Sequence, residues 1–393
     1  MTPAARVQAA IELLDAVIAA AHADGAPADR LIADYFRARR YAGSKDRRAV
    51  RELVYRAIRV CGPLPVSGRA AMLRLAQDDS MIAPLFDGSV HGPALIAVDE
   101  QVAEGGLAPH WLVDKLAASG VAGEEALALL DRAPLDLRVN TLKADRSTIE
   151  FPVDAKFTDA PQGLRIEPGA PVESFYAYRD GLVEVQDTGS QLACLAVGAA
   201  PGETVLDLCA GAGGKTLALA AAMGNRGRLL ASDSDRSRLS RLAPRAERAG
   251  AGMIETRLLD PGRESEMLSD LEAACDAVLV DAPCSGTGTW RRNPEARWRL
   301  TPERLERFAQ VQARLLDIAA ALVKPGGRLV FVTCSLLDPE GADQAIEFLT
   351  RHEGWSADTL VLPLGRSHGT GWRLSPFHDG TDGFFIARLT RAC

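Results

Sequence analysis

With 393 residues, 47% hydrophobic and 25% charged, the chain carries enough apolar material for two or three domains and lacks the profile of a disordered protein. A net charge of −7 and a pI near 5.5 argue against a surface that is basic throughout, so any polyanion must be met by local clusters. No apolar run approaches the ~20 residues of a membrane span, and seven scattered cysteines without a Cys-x-x-Cys pair exclude a disulfide framework or a zinc ribbon.

The first residues read as a helix start and not a signal peptide. Val7, Ala10, Ile11, Leu14, Val17, Ile18 and Ala21 recur at helical spacing, and the pattern continues through Leu31–Phe36 and Val50–Ile58. Residues 6–131 are therefore expected to form an all-α bundle, with Pro109 opening a late helix. Between Asp29 and Arg59 stand ten Lys/Arg against four Asp/Glu, a net of +6 that is either a solvated face or a nucleic-acid contact. At Pro134 the texture changes. Leu135–Thr141 alternates as a strand, and short strands near 164–166 and 182–185 suggest a small α+β module.

From Asp187 onward strands and helices alternate. Strands are expected at 204–208, 228–232, 253–259, 277–280 and 328–333, with helices at 216–223, 238–249 and 302–323. That order implies a mostly parallel sheet with helices on both faces and ligands at the carboxyl ends of its strands. Every polar residue that stands out falls at such an end.

The first is the loop Asp207–Thr216. A phosphate-cradling P-loop would need Gly where Cys209 stands, and a dinucleotide fingerprint would need Gly where Thr216 stands, so both fail. Asp207, Gly211 and Gly213 fit an S-adenosylmethionine loop, with Asp233 placed to hold ribose hydroxyls. A Gly-rich turn without any ligand is the alternative.

Two thiols follow, Cys284 in Asp281-Ala282-Pro283-Cys284-Ser285-Gly286-Thr287-Gly288 and Cys334 in Thr333-Cys334-Ser335. A methyl donor plus thiols suits methylation of a pyrimidine at C5. That carbon is a poor nucleophile until a thiolate adds at C6, and Asp281 is placed to stabilise the charge developing near N3. Arg291, Arg292 and Lys215 are the cations that would favour a thiolate, and the net +3 of 284–299 is read as functional. Cys61, Cys194 and Cys275 are expected in cores, Cys209 beside the cofactor, and Cys393 without a role.

Here the chain resembles the RNA cytosine-C5 methyltransferases of the Rsm/Nop/Sun type, and among them the RsmB type. The likeness is carried by Leu137–Lys143, Val185–Leu192, the loop 207–216, Asp281–Gly288 with Arg291-Arg292-Asn293-Pro294, Thr333-Cys334-Ser335 and Asp382–Phe385. It implies that Cys334 attacks C6 and Cys284 helps release the adduct. It also implies that Cys209, Ala210, Gly211, Ala212, Gly213, Gly214, Lys215, Asp233, Asp260 and Asp281 meet S-adenosylmethionine. Where the family often has an acidic-Asn-acidic run after the Thr-Cys-Ser phrase, this chain has Glu340-Gly341-Ala342-Asp343. Lys45–Arg48 and Glu52–Tyr55 resemble a NusB-like helical domain, which implies small-subunit ribosomal RNA as the partner.

The expected architecture is then a NusB-like RNA-binding bundle over 1–131, a small α+β subdomain over 132–185, and a class I, Rossmann-like methyltransferase domain over 186–393. The protein is expected to be a cytoplasmic monomer without metal or membrane contact. Methylation of transfer RNA, or a non-catalytic role in ribosome assembly, are the alternatives.

Overall fold

The computed structural model describes residues 1–23 and 25–393. They fold as two units, one made of 1–131 with 289–301 and the other of 132–288 with 302–393.

The first unit is helical. Its longer helices are α1 (Pro3–His22), α2 (Ala28–Ala38), α3 (Ser44–Val60), α4 (Gly68–Asp78) and α5 (His110–Ala118). Thr2 caps α1 by accepting the Ala5 amide at 3.2 Å, with Pro3 at the first helical position. The periodic stripe from Val7 to Ala21 is buried along its whole length, against Ile32, Val54, Ile58 and Met72. The helical reading of residues 6–131, punctuated by Pro and Gly at Gly62-Pro63, Pro65 and Gly92-Pro93, is interrupted most widely between α4 and α5. There the chain is irregular apart from a 3-10 turn at Ala83–Leu85, because Pro and Gly at 92–93 and 105–106 break any helix.

Residues 289–301 cap two helices of this unit. Glu295 accepts the Ala28 amide at 3.0 Å at the start of α2. Arg297, fully buried, donates to the carbonyls of Ile58 and Cys61, each at 2.7 Å, where α3 runs out of intrahelical donors. Arg299 donates to the carbonyls of Gly25 and Ala26 at 2.6 and 2.7 Å. The basic cluster read as a functional patch beside Cys284 is thus structural at Arg297 and Arg299. Periodicity cannot show that a segment leaves one unit to finish another.

The second unit holds two sheets. A four-stranded antiparallel sheet runs β2-β3-β1-β4, from β1 (Leu135–Val139), β2 (Ala155–Phe157), β3 (Gly163–Ile166) and β4 (Val183–Val185). Several residues behind the family likeness bond to one another here. Arg138 donates to Gln186 at 2.7 Å, and Gln191 to the Leu137 carbonyl at 3.2 Å.

The larger sheet has nine strands. Five are parallel in the order β7-β6-β5-β8-β9, formed by β5 (Thr204–Asp207), β6 (Arg228–Asp233), β7 (Ile254–Leu258), β8 (Cys275–Asp281) and β9 (Val323–Thr333). The order turns back between β5 and β8, which is where such sheets open a ligand crevice. Antiparallel strands extend the other edge: β10 (Trp355–Ala357), β11 (Arg366–His368), β12 (Gly371–Leu374) and β13 (Phe384–Arg391), with β13 against β9 and β10 also on β13. The Rossmann-like parallel half is present, but the sheet as a whole is mixed. The helix expected at 238–249 divides into 236–239 and 242–249. Among the described residues no helix is long and apolar enough to cross a membrane.

Candidate active site

The glycine turn is set by backbone conformation. Gly211 and Gly213 have φ of +54° and +84°, and a Cβ on Gly213 would lie 2.0 Å from Leu242 Cδ1, so only glycine fits there. The turn delivers the chain into the helix Gly214–Ala222, whose first amides point past the end of β5. A Cβ built on Gly214 would meet nothing within 4 Å, so a ligand has room to approach.

Three carboxylates ring this turn, one from each of three strand ends. Asp233 accepts the amides of Gly211 and Asp235, both at 2.7 Å, and each oxygen keeps a second lone pair. Asp207 is fully buried; Thr216 donates to its Oδ2 at 2.7 Å while Oδ1 has no hydrogen-bond partner. Burial pushes Asp207 up to about 7, against the Thr216 bond, which pulls it down. Asp281 pairs with Lys215 at 2.7 Å. Burial works against the Lys215 ammonium, but Asp281 outweighs it and raises the lysine above its ordinary range. Lys215 also lies over the Phe384 ring, 5.6 Å from its centroid. Cys209 in the turn is pushed well up by burial and then by Asp207, Asp281 and Asp233, which keeps it a thiol. Ala210 and Ala212 complete the turn; the Ala210 amide is held by the Ser232 carbonyl at 2.8 Å, and the Ala212 carbonyl by Arg245 at 2.6 Å. Asp260, just after β7, is exposed, with Arg263 at 3.8 Å, and Leu259 before it bonds to the Asp233 carbonyl at 2.9 Å.

The thiols come together at the ends of β8 and β9. Cys284 and Cys334 lie fifty residues apart in sequence, yet their sulfurs are 3.4 Å apart. The Gly288 amide donates to the Cys334 carbonyl at 2.9 Å, and the Gly383 amide to the Gly288 carbonyl at 2.8 Å, so the start of β13 braces both loops. A Cβ on Gly288 would lie 2.2 Å from the Gly383 carbonyl oxygen, and this closeness requires glycine. The Cys284 thiol is pushed well above its ordinary range, first by its hydrogen bond with Cys334, then by burial and by the charges of Cys334 and Glu340. Cys284 is therefore held protonated, a state suited to giving or relaying a proton. Cys61, Cys194 and Cys275 are buried in cores and Cys393 is exposed.

Of the cations proposed from sequence, Lys215 reaches the carboxylates of the site, whereas Arg291 and Arg292 belong to the helical unit. Sequence reasoning missed Phe384, Gln312 and the serine-glutamate set around the thiols. Glu340, fully buried, accepts from Ser285 and Ser335 of the two cysteine phrases. The one available signal was Glu340 itself, at the head of the run that departs from the family's acidic-Asn-acidic pattern.

Residues 194–390 match the family described as 16S rRNA methyltransferase RsmB/F. The chain is 36% identical over 303 residues to the probable ribosomal RNA small subunit methyltransferase B of Synechocystis sp., covering 72% of this chain and 67% of that one. It is 34% identical over 297 residues, with the same coverage, to the ribosomal RNA small subunit methyltransferase B of Citrobacter koseri. Among solved structures, the crystal structure of PH0851 aligns over 98% of both chains with a TM-score of 0.76 and 25% identity. A methyltransferase homologue from Pyrococcus horikoshii aligns over 72% of this chain and 99% of its own, with a TM-score of 0.60 and 27% identity.

Proposed function

This chain belongs to the RsmB/F family and is an RNA cytosine-C5 methyltransferase; from that premise we propose that its substrate is a cytidine of 16S ribosomal RNA and that its residues divide the reaction as follows. The residues around the glycine turn suit S-adenosylmethionine. Asp233 has lone pairs for ribose hydroxyls, the amides of the turn and helix start face a carboxylate, and three carboxylates favour a cationic ligand. Cys209–Lys215, Asp233, Asp260 and Asp281 are the residues that would hold it. Bound there, it supplies the methyl group.

Cys334 adds as thiolate to C6, which breaks the C5–C6 double bond and leaves C5 electron-rich. Asp281, oriented by Lys215, hydrogen-bonds the N3/N4 edge and stabilises the charge that develops there. Once C5 carries the methyl group, its proton passes to a solvent base, the C5–C6 double bond re-forms, the C6–sulfur bond breaks and the Cys334 thiolate is freed. Cys284, at 3.4 Å from Cys334, assists that release. Thiol chemistry of this kind fits a reducing cytoplasm. The helical unit supplies RNA affinity in the manner of a NusB-like domain, through the exposed Arg40, Lys45, Arg47, Arg48 and Arg51.

The observation that carries this reading is the pair of sulfurs at two strand ends of the same sheet that bears the Asp281–Lys215 pair. The test is Cys284→Ala. It is expected to accumulate a covalent protein–RNA adduct that migrates slowly on denaturing gels, and adding Cys334→Ala abolishes it. Bisulfite sequencing of cellular RNA with and without the gene locates the methylated cytidine. A site confined to transfer RNA would overturn the substrate assignment and leave the chemistry in place.

A further inference from the structure

The two thiols sit on loops, not on regular elements, so something must fix the distance between them. Glu340, on a 3-10 turn after β9, is 1% exposed and accepts from both loops. Its Oε1 accepts the Ser285 amide at 2.8 Å and the Gln312 side chain at 3.4 Å. Its Oε2 accepts the Ser335 hydroxyl at 2.7 Å and also the Ser285 hydroxyl. Gln312, from the long helix Pro302–Leu322, donates as well to the Pro283 carbonyl at 2.9 Å. Thr287 accepts the Leu336 amide at 2.8 Å, and Ser335 accepts the Leu337 amide at 3.1 Å. An ionised carboxylate is acceptor-only, and here four donors from three segments converge on it. Burying a carboxylate this deeply is costly unless those bonds are kept, so the loops cannot drift apart without exposing the cost. None of these bonds of Glu340 reaches either sulfur; it acts on them through the loops.

We propose that Glu340 is a positioning residue for the methyl transfer, its carboxylate clamping the Pro283–Thr287 loop to the Thr333–Leu337 loop and thereby setting the sulfur-to-sulfur distance. The proposal rests on the two-thiol reading of the reaction. It adds a second effect: the Glu340 charge joins the Cys334 bond and burial in keeping Cys284 protonated.

Diamide provides a test that needs no RNA. It removes the two thiol hydrogens, is itself reduced, and leaves a Cys284–Cys334 disulfide whose rate of formation, followed by mass spectrometry on the full chain, reports how readily the sulfurs meet. Glu340→Ala is expected to close this disulfide about tenfold more slowly and to lose about 100-fold in kcat on an in vitro-transcribed, unmodified 16S rRNA, with KM for S-adenosylmethionine unchanged. Ser285→Ala removes one arm of the clamp and should slow closure in the same direction, a check that stands even if Glu340→Ala folds poorly. Glu340→Gln keeps the size and drops the charge. It is expected to shift the pH midpoint of Cys284 alkylation by iodoacetamide downward, which a purely structural brace would not do. Wild-type closure rates in both Glu340→Ala and Ser285→Ala would overturn the clamp. Slowed closure in a protein whose wild type leaves the rRNA unmethylated would keep the clamp and reject the substrate.

Discussion

At the ends of β5 and β6 the site is made by backbone, and at the ends of β8 and β9 by side chains. In the first half, two glycines at positive φ shape the turn between Asp207 and Gly214, and the groups it offers are mostly amides and the carboxylates of the adjoining strand ends. In the second half, two loops, a long helix, a 3-10 turn and the start of β13 each contribute one or two groups, and the sulfurs meet only because all of them converge. A short glycine-bearing phrase carries its own geometry. A convergent cluster carries none of it until the sheet is assembled.

The sharpest way to separate the halves is to remove the chemistry and keep the pocket. Cys334→Ala is expected to lower methyl transfer by about 10⁴-fold or more while leaving S-adenosylmethionine affinity intact, by single-turnover assay and calorimetry. Full activity in that variant would remove Cys334 from its role. Lys215→Met tests the seam between the halves, because it leaves the Asp281 carboxylate without its cation. The expected loss is about 2 kcal/mol, or roughly 30-fold in kcat/KM, and a double variant with Asp281→Asn should lose less than the two singles combined. Gly213→Val strikes the other half. Its positive φ and the nearby Leu242 make the substitution cost about 2 kcal/mol, read as a lower Tm and weaker S-adenosylmethionine binding, with diamide closure of the thiols unaffected.

The smallest effect is a pH dependence. Burial raises Asp207 in the folded protein to about 7 from the ordinary 3.8. A folded value above the unfolded one means that the native state holds the proton more tightly. The contribution to stability is therefore full below pH 4 and is lost as pH rises through 7. Asp207→Asn, neutral at every pH, should raise the Tm of the ligand-free protein at pH 8 and leave it unchanged at pH 4. An equal shift at both values would show that the carboxyl is ionised throughout.

Much of the parallel half was legible along the chain. The strands at 204–208, 228–232 and 277–280 begin or end within two residues of β5, β6 and β8, because a fully buried parallel strand is a short apolar run closed by a polar residue. The antiparallel edge was not. β10, β11 and β12 have three or four residues each and are largely polar or half-exposed, so they show no period until β10 and β12 pair with β13 and β11 with β12. Arg297 and Arg299 misled for a related reason: a guanidinium that binds backbone carbonyls has the same letter as one that greets a phosphate.

By itself, then, the sequence determined the order of strands and helices, the glycine turn with its flanking carboxylates, and two thiol phrases at strand ends. These are local matters of period and φ, decided within ten or so residues. Only the tertiary structure decided that the two sulfurs meet, that Glu340 and Gln312 stand behind them, and that 289–301 completes the helical unit. Those are contacts between groups up to hundreds of residues apart, and they exist only once burial has brought the elements together and every buried donor and acceptor has had to find a partner.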